Sequence, residues 1–293
     1  GKELSEIGEM VNQGAVAISD DGVPVKNSQI LRMALEYSKK FNIPVINHAE
    51  DNFLVNDGVM NEGNTSLRLG LSGNPSISES TMVFRDLSIA EYVSGKIHVP
   101  HISTSESVDI IKLFKDRGVD ITCEITPHHL CLSDEILFDY NTNSKVAPPI
   151  RSKANQKKLI NAVKSGIIDC IATDHAPHSI DDKETDICSA ACGMIGMETA
   201  FSLVYSTLKK EKISTNTILN LFSFNPSKII GITPNPIVKN NEAEINIIDC
   251  EKKWIFNEKH IKSMSKNTPL LGRKMKGKVE FTINKGFISK HKD

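Results

Sequence analysis

Over its first 230 residues the chain alternates short β-branched runs with stretches whose apolar residues recur at helical spacing. That alternation restricts the fold to a parallel sheet covered by helices. The runs share a second property: they end in residues that bind divalent metals. Residues 15–19 lead into Asp20-Asp21, 44–47 into His48, 97–100 into His101, and 167–172 into Thr173-Asp174-His175-Ala176-Pro177-His178. In parallel sheets the residues at the C-terminal strand ends line the active pocket. Taken singly, Asp21-Gly22 suits a turn and a strand-end histidine is usually a satisfied polar residue. Four such ends together point to a metal-dependent enzyme.

Two architectures satisfy the alternation, a doubly wound open sheet and a (β/α)8 barrel. No Gly-x-Gly-x-x-Gly follows a strand, which removes the usual support for a dinucleotide-binding sheet. Ligands supplied from many strand ends favour the barrel, whose ring brings all of them to one point. Five parallel strands are expected, at about 14–19, 44–48, 97–102, 120–126 and 167–173, whereas a barrel needs eight. Helices are expected over 27–40, 79–95, 106–117 (capped by Ser103 or Thr104), 154–165, 197–210 and 214–230. From Pro234 the pattern changes to short strands at 245–248, 254–256 and 279–283, punctuated by glycine. The division expected is 1–233 for the barrel and 234–293 for a small β domain.

A net charge of −1 gives no electrostatic reason to expect nucleic acid or an anionic membrane as partner. No apolar run approaches the roughly 20 residues of a membrane helix. The polar residues at the start do not suit a signal peptide, so the cytoplasm is the expected location. Six scattered cysteines, mostly in apolar runs, read as reduced buried thiols. Cys188 and Cys192 lie four apart, but no second Cys/His pair follows at finger spacing.

Asp21, His48, His101 and Asp174 are the core candidates. A carboxylate can bridge two ions, imidazoles suit zinc, and Asp174 is placed to act as general base. His98 lies three residues before His101, so a regular strand turns it to the opposite face unless a bulge intervenes. His128 and His129 follow Pro127 and read either as substrate contacts or as ordinary loop residues. His260 and His291 are expected on the surface.

These blocks resemble dihydroorotase of the bacterial class related to the multifunctional complex, within the amidohydrolase superfamily. The resemblance rests on Ser19-Asp20-Asp21-Gly22, Asn47-His48-Ala49-Glu50-Asp51, His101-Ile102-Ser103-Thr104, Ala147-Pro148-Pro149-Ile150-Arg151, the Thr173 to His178 block and Gly193-Met194-Ile195-Gly196-Met197-Glu198-Thr199-Ala200. Asn267-Thr268-Pro269 and Gly277-Lys278-Val279 extend it into the tail. It implies a zinc-dependent enzyme with one or two Zn2+ ions. The reaction implied is reversible cyclisation of N-carbamoyl-L-aspartate to L-dihydroorotate, in pyrimidine biosynthesis. Asp21 would bridge the metals, His48 and His101 would complete the second metal site, and Asp174 would ligate the first metal and shuttle the proton. His178 would hold the substrate carboxylate, with backbone groups around Gly193, Ile195 and Gly196 against the ring. A homodimer and an aspartate transcarbamoylase partner also fall within what it implies.

Two departures qualify the resemblance. The family opens on a strand carrying His-x-His-x-x-Arg, which supplies two ligands of the first metal, and this sequence has no such pair. The expectation is therefore a barrel lacking its first βα units, inactive or nearly so by itself. Ala147 stands where many relatives have a substrate-binding asparagine, and alanine offers no side-chain hydrogen bond. Two other readings stay open: another cyclic amidase of the hydantoinase or allantoinase kind, and a non-catalytic subunit scaffolding aspartate transcarbamoylase. Retention of Asp21, His48, His101 and Asp174 argues against the silent subunit.

Overall fold

The computed structural model describes residues 1–291. Five short strands, β1 (Ile18–Ser19), β2 (Val45–Ile46), β3 (Ile97–Val99), β4 (Ile121–Ile125) and β5 (Cys170–Ile171), form one parallel sheet in chain order. A doubly wound sheet reverses its order at a switch point. This one never does, and the order is that of a segment of a barrel wall. The strands are shorter than the apolar runs predict, because the residues flanking each ladder already turn toward the helices or the pocket.

The two faces of the sheet differ, as the alternation within β4 makes plain. Ile121, Cys123 and Ile125 are buried, whereas Thr122 and Glu124 on the other face are only half-buried. Helices α1 (Ser28–Ser38), α2 (Ile77–Val93), α3 (Ser105–Asp116) and α4 (Lys153–Lys164) cover the apolar face. Leu31, Leu35, Val83, Leu87, Ile111 and Leu159 join Ile97, Ile121 and Ile125 in one core. Burial of each such side chain contributes about 1.5–3 kcal/mol. Thr104, rather than Ser103, caps α3 by accepting from the Ser107 amide at 3.2 Å.

The tail forms an antiparallel sheet from β6 (Glu244–Ile255), β7 (Lys274–Asn284) and β8 (Phe287–Lys290). Two of the predicted strands merge into β6, whose pairing with β7 shifts register between Ile247 and Ile248 and between Asp249 and Lys253. Phe256, Leu270 and Met275 enter the same core as the barrel strands. The tail also packs on helix α5 (Ala200–Lys210), where Gly277 approaches so closely that a Cβ there would lie 2.9 Å from Tyr205. His260 and His291, expected on the surface, are half-buried. The His260 ring lies edge-on to Trp254 at 4.8 Å, and His291 Nε2 is 3.0 Å from Thr282 Oγ1. Among the described residues no helix is long and apolar enough to cross a membrane.

Candidate metal centre

Ser19 and Ile46 are register partners on the inner face of the sheet. Asp21 and His48 each follow two residues later, so both return to that face just beyond the strand ends. His101 would miss it by strand periodicity. Instead its backbone is left-handed (φ 34°), which swings the ring inward where the sequence suggested a bulge would be needed. The three side chains meet: His101 Nε2 lies 3.0 Å from Asp21 Oδ1 and 3.0 Å from His48 Nδ1, with His48 Nδ1 3.5 Å from Asp21 Oδ1. His48 and His101 are buried, while Asp21 is half-exposed at the mouth.

A carboxylate oxygen and two imidazole nitrogens facing one another have the mixed nitrogen and oxygen donors and the spacing of a divalent-ion site. Two ring nitrogens 3.0 Å apart cannot both keep a free lone pair there comfortably, so the trio holds either a proton or a cation. Hydrogen bonds from His101 and then His48 hold the Asp21 carboxyl well below its ordinary range. Burial works against a charge on His48, but the Asp21 and Glu50 carboxylates outweigh it and raise the ring to about 9. Zinc fits this donor set.

A buried polar network stands behind the trio. Glu50 Oε2 lies 3.3 Å from His48 Nε2, and Asn74 Nδ2 donates to Glu50 Oε1 at 2.8 Å. Arg151 Nη1 donates to the Asn74 carbonyl at 2.7 Å, and its Nε to Ser103 Oγ at 3.0 Å. Glu79 in turn accepts from the Ser103 hydroxyl and, at 3.0 Å each, from the two amides of Ser103 and Thr104. The segments after His48 and after His101 are thus tied together through one chain of contacts. Sequence reasoning missed Glu50, Asn74, Glu79 and Arg151 as supports. The available signal was the spacing His48-Ala49-Glu50, a carboxylate two residues beyond a candidate ligand.

Asp174 stands beside the trio and outside it. Its backbone is also left-handed (φ 45°). Burial raises its carboxyl above the ordinary range, with His101, which opposes the shift, and then Asp21 and Glu124 as the largest electrostatic influences. His128 Nε2 lies 3.9 Å from Asp174 Oδ2 and is a buried atom without a hydrogen-bond partner. Burial, then His101, pushes that imidazole down to about 3, so it is neutral. His129 is a scaffold residue, with Nε2 2.8 Å from the Pro148 carbonyl beyond the cis Ala147–Pro148 bond. His175 is another: the Gly196 amide donates to its Nδ1 at 3.1 Å, and Ser263 Oγ lies 3.1 Å from its Nε2.

His178 packs against Gly193, where a Cβ would come within 2.7 Å of His178 Nε2. That nitrogen lies 2.8 Å from the Cys192 carbonyl. The amides of Gly193, Ile195 and Gly196 donate within the chain, to Lys145 O, Asn267 O and His175 Nδ1. Any contact of this segment with a ring therefore falls to its other backbone groups. All six cysteines are free, and neither Cys188 nor Cys192 belongs to a ligand group among the described residues.

The parallel barrel wall with candidate ligands at its strand ends is an amidohydrolase-type fold. Solved structures agree: L-hydantoinase from Arthrobacter aurescens superposes with a TM-score of 0.86 at 21% identity, over 98% of this chain and 68% of that one. Dihydropyrimidinase from Brevibacillus agri gives 0.83 at 19%, over the same shares. The family profile for Dihydro-orotase-like proteins matches residues 1–107. The chain is 45% identical over 289 residues to dihydroorotase of Acetivibrio thermocellus, covering 98% of this chain and 68% of that protein. It is 42% identical to dihydroorotase of Desulforapulum autotrophicum, covering 98% and 67%. The chain belongs to the dihydroorotase family.

Proposed function

We propose that this chain carries part of a dihydroorotase centre, which interconverts N-carbamoyl-L-aspartate and L-dihydroorotate. The convergence of Asp21, His48 and His101 within hydrogen-bond distance carries the reading. These three residues would hold zinc, with Asp174 as a further ligand. Zinc, when bound, polarises the scissile carbonyl and makes water a stronger nucleophile.

Asp174 takes a proton from the attacking water and returns it to the ring nitrogen as the C–N bond breaks. Ring closure runs the same proton in reverse. His128 Nε2 lies 3.9 Å from the Asp174 carboxylate, on the same side of the site. His178 holds the substrate carboxylate, and Gly193 leaves room for its ring. Ala147 supplies no side-chain hydrogen bond, which weakens substrate binding by roughly 0.5–1.5 kcal/mol relative to a bonded residue. Residues 1–233 serve as the catalytic wall and 234–293 as the supporting β unit. A homodimer or an aspartate transcarbamoylase partner is compatible with this reading.

The 293 residues contain no His-x-His pair, so the trio and Asp174 are the share of the centre these residues supply. The chain alone is therefore expected to turn over little or no dihydroorotate. The test compares dihydroorotate hydrolysis with added zinc by this chain and by a fusion to the first-strand region of the Acetivibrio thermocellus relative. Zinc-dependent turnover by the fusion alone, abolished by Asp174→Ala, is the expected result. Equal turnover by both removes the argument from the missing ligands. None from a folded, zinc-loaded fusion overturns the dihydroorotase reading.

A further inference from the structure

The inner face of the sheet carries a second set of ligand atoms, lower on the strands than the trio. His98 of β3 is the register partner of Thr122 in β4, and Glu124 is the partner of Cys170 in β5. Thr122 and Glu124 are two apart in β4, so all four side chains share the inner face. His98 Nε2 lies 3.1 Å from Glu124 Oε2, and Cys170 Sγ lies 4.0 Å from the same oxygen. The nitrogen, oxygen and sulfur atoms all fall within 4.8 Å of one another. His98 and Cys170 are 3% and 2% exposed, so the cluster has little water to satisfy it.

We propose that His98, Glu124 and Cys170 form a metal site of their own, for a borderline-soft divalent ion of the zinc class. The geometry of His98 supports it. Its Nδ1 is 2.8 Å from Thr122 Oγ1, which fixes the ring and aims Nε2 at Glu124 and Cys170, as outer hydrogen bonds do for ligating histidines. The ligand set supports it too, since mixed nitrogen, oxygen and thiolate donors favour zinc over magnesium or calcium. Charge also balances: one carboxylate, one thiolate, a neutral imidazole and a dication sum to zero, which lowers the cost of a buried site. On binding, the Cys170 thiol proton leaves to solvent and a sulfur–metal bond forms. Three protein ligands leave a fourth position for water, and the ion ties the adjacent strands β3, β4 and β5 together.

The readout separates this site from the proposed reaction centre, because the Asp21, His48 and His101 trio contains no sulfur. Chelator-treated chain is titrated with cobalt(II), and the thiolate-to-cobalt charge-transfer absorption is followed. One equivalent of that absorption is expected, lost in Cys170→Ser and in His98→Asn. It is retained in His48→Asn and in Cys188→Ser/Cys192→Ser, the exposed pair. Cys170→Ser is close to isosteric, and circular dichroism confirms its fold. No charge-transfer absorption in the parent chain, or one that survives Cys170→Ser, overturns the proposal. So does loss of the absorption in Cys188→Ser/Cys192→Ser alone.

Discussion

His48 Nε2 lies 3.3 Å from the Glu50 carboxylate, on the side of the ring opposite Asp21 and His101. That bond fixes the ring orientation and leaves Nδ1 facing the trio. Such outer carboxylates typically change metal affinity about 10–100-fold when removed. Glu50→Gln is expected to weaken zinc binding by about that factor, measured by competition with a chromophoric chelator. Unchanged affinity in a natively folded variant would leave Glu50 without a positioning role.

The same geometry gives a pH dependence. His48 carries its proton up to about 9 in the metal-free chain, and zinc needs the ring neutral. Apparent zinc affinity should therefore fall as pH drops below about 9, by up to about tenfold per unit for one displaced proton. For stability of the metal-free chain the sign is the same as for any raised histidine. The contribution is full below about 6.5 and is lost as pH rises through about 9. An affinity that stays flat over that window would contradict this account of His48.

Glu79 is 2% exposed and gathers the Ser103 and Thr104 amides and hydroxyls just after His101. Glu79→Ala leaves those donors, and the neighbouring Arg151 guanidinium, without their anion. A loss of about 3–5 kcal/mol is expected from urea unfolding. Glu79→Gln should cost less but still disturb the site, because its amide points a donor at other donors. A loss below about 1 kcal/mol for Glu79→Ala would show that water replaces the carboxylate.

Asp86 supports the residue before His48: Asn47 Nδ2 donates to it at 2.6 Å, and Arg85 Nη2 lies 2.6 Å away. Burial still raises its carboxyl to about 6, against the pull of Arg85. Because the folded value lies above the unfolded one, this group's contribution is complete below about 4 and is lost as pH rises through about 6. The stability difference between the parent and Asp86→Asn should thus move against the parent by about 1–3 kcal/mol across that window. A constant difference from pH 4 to 7, read by chemical denaturation, would be the contrary result.

Much of this was legible because the relevant signals are local. The five strands, the helices between them, and Asp21 and His48 at strand tips follow from apolar periodicity and a step of two residues. The sequential strand order follows from the barrel that candidate ligands at many strand ends favour, although no single strand carries a mark of its neighbour. His101 could not be placed by periodicity because its inward turn depends on a left-handed backbone held by Glu79, 22 residues earlier. Glu50, Asn74 and Arg151 looked like ordinary polar residues, and only the fold brings them into one network. His98 was expected on the face opposite the site, but its register with Ile46 puts it on the inner face, below the trio and beside Glu124 and Cys170, because it is His101 that leaves the strand phase.

The left-handed backbones at His101 and Asp174 set chemistry against durability. Each non-glycine residue in that region carries a conformational cost of about 1–2 kcal/mol. Glycine at either position would relieve the cost and remove a residue of the proposed centre. Change to glycine at these two sites is therefore favoured by the backbone and opposed by the proposed turnover. A lineage released from the need for the reaction should lose His101 and Asp174 before it loses the buried residues that surround them.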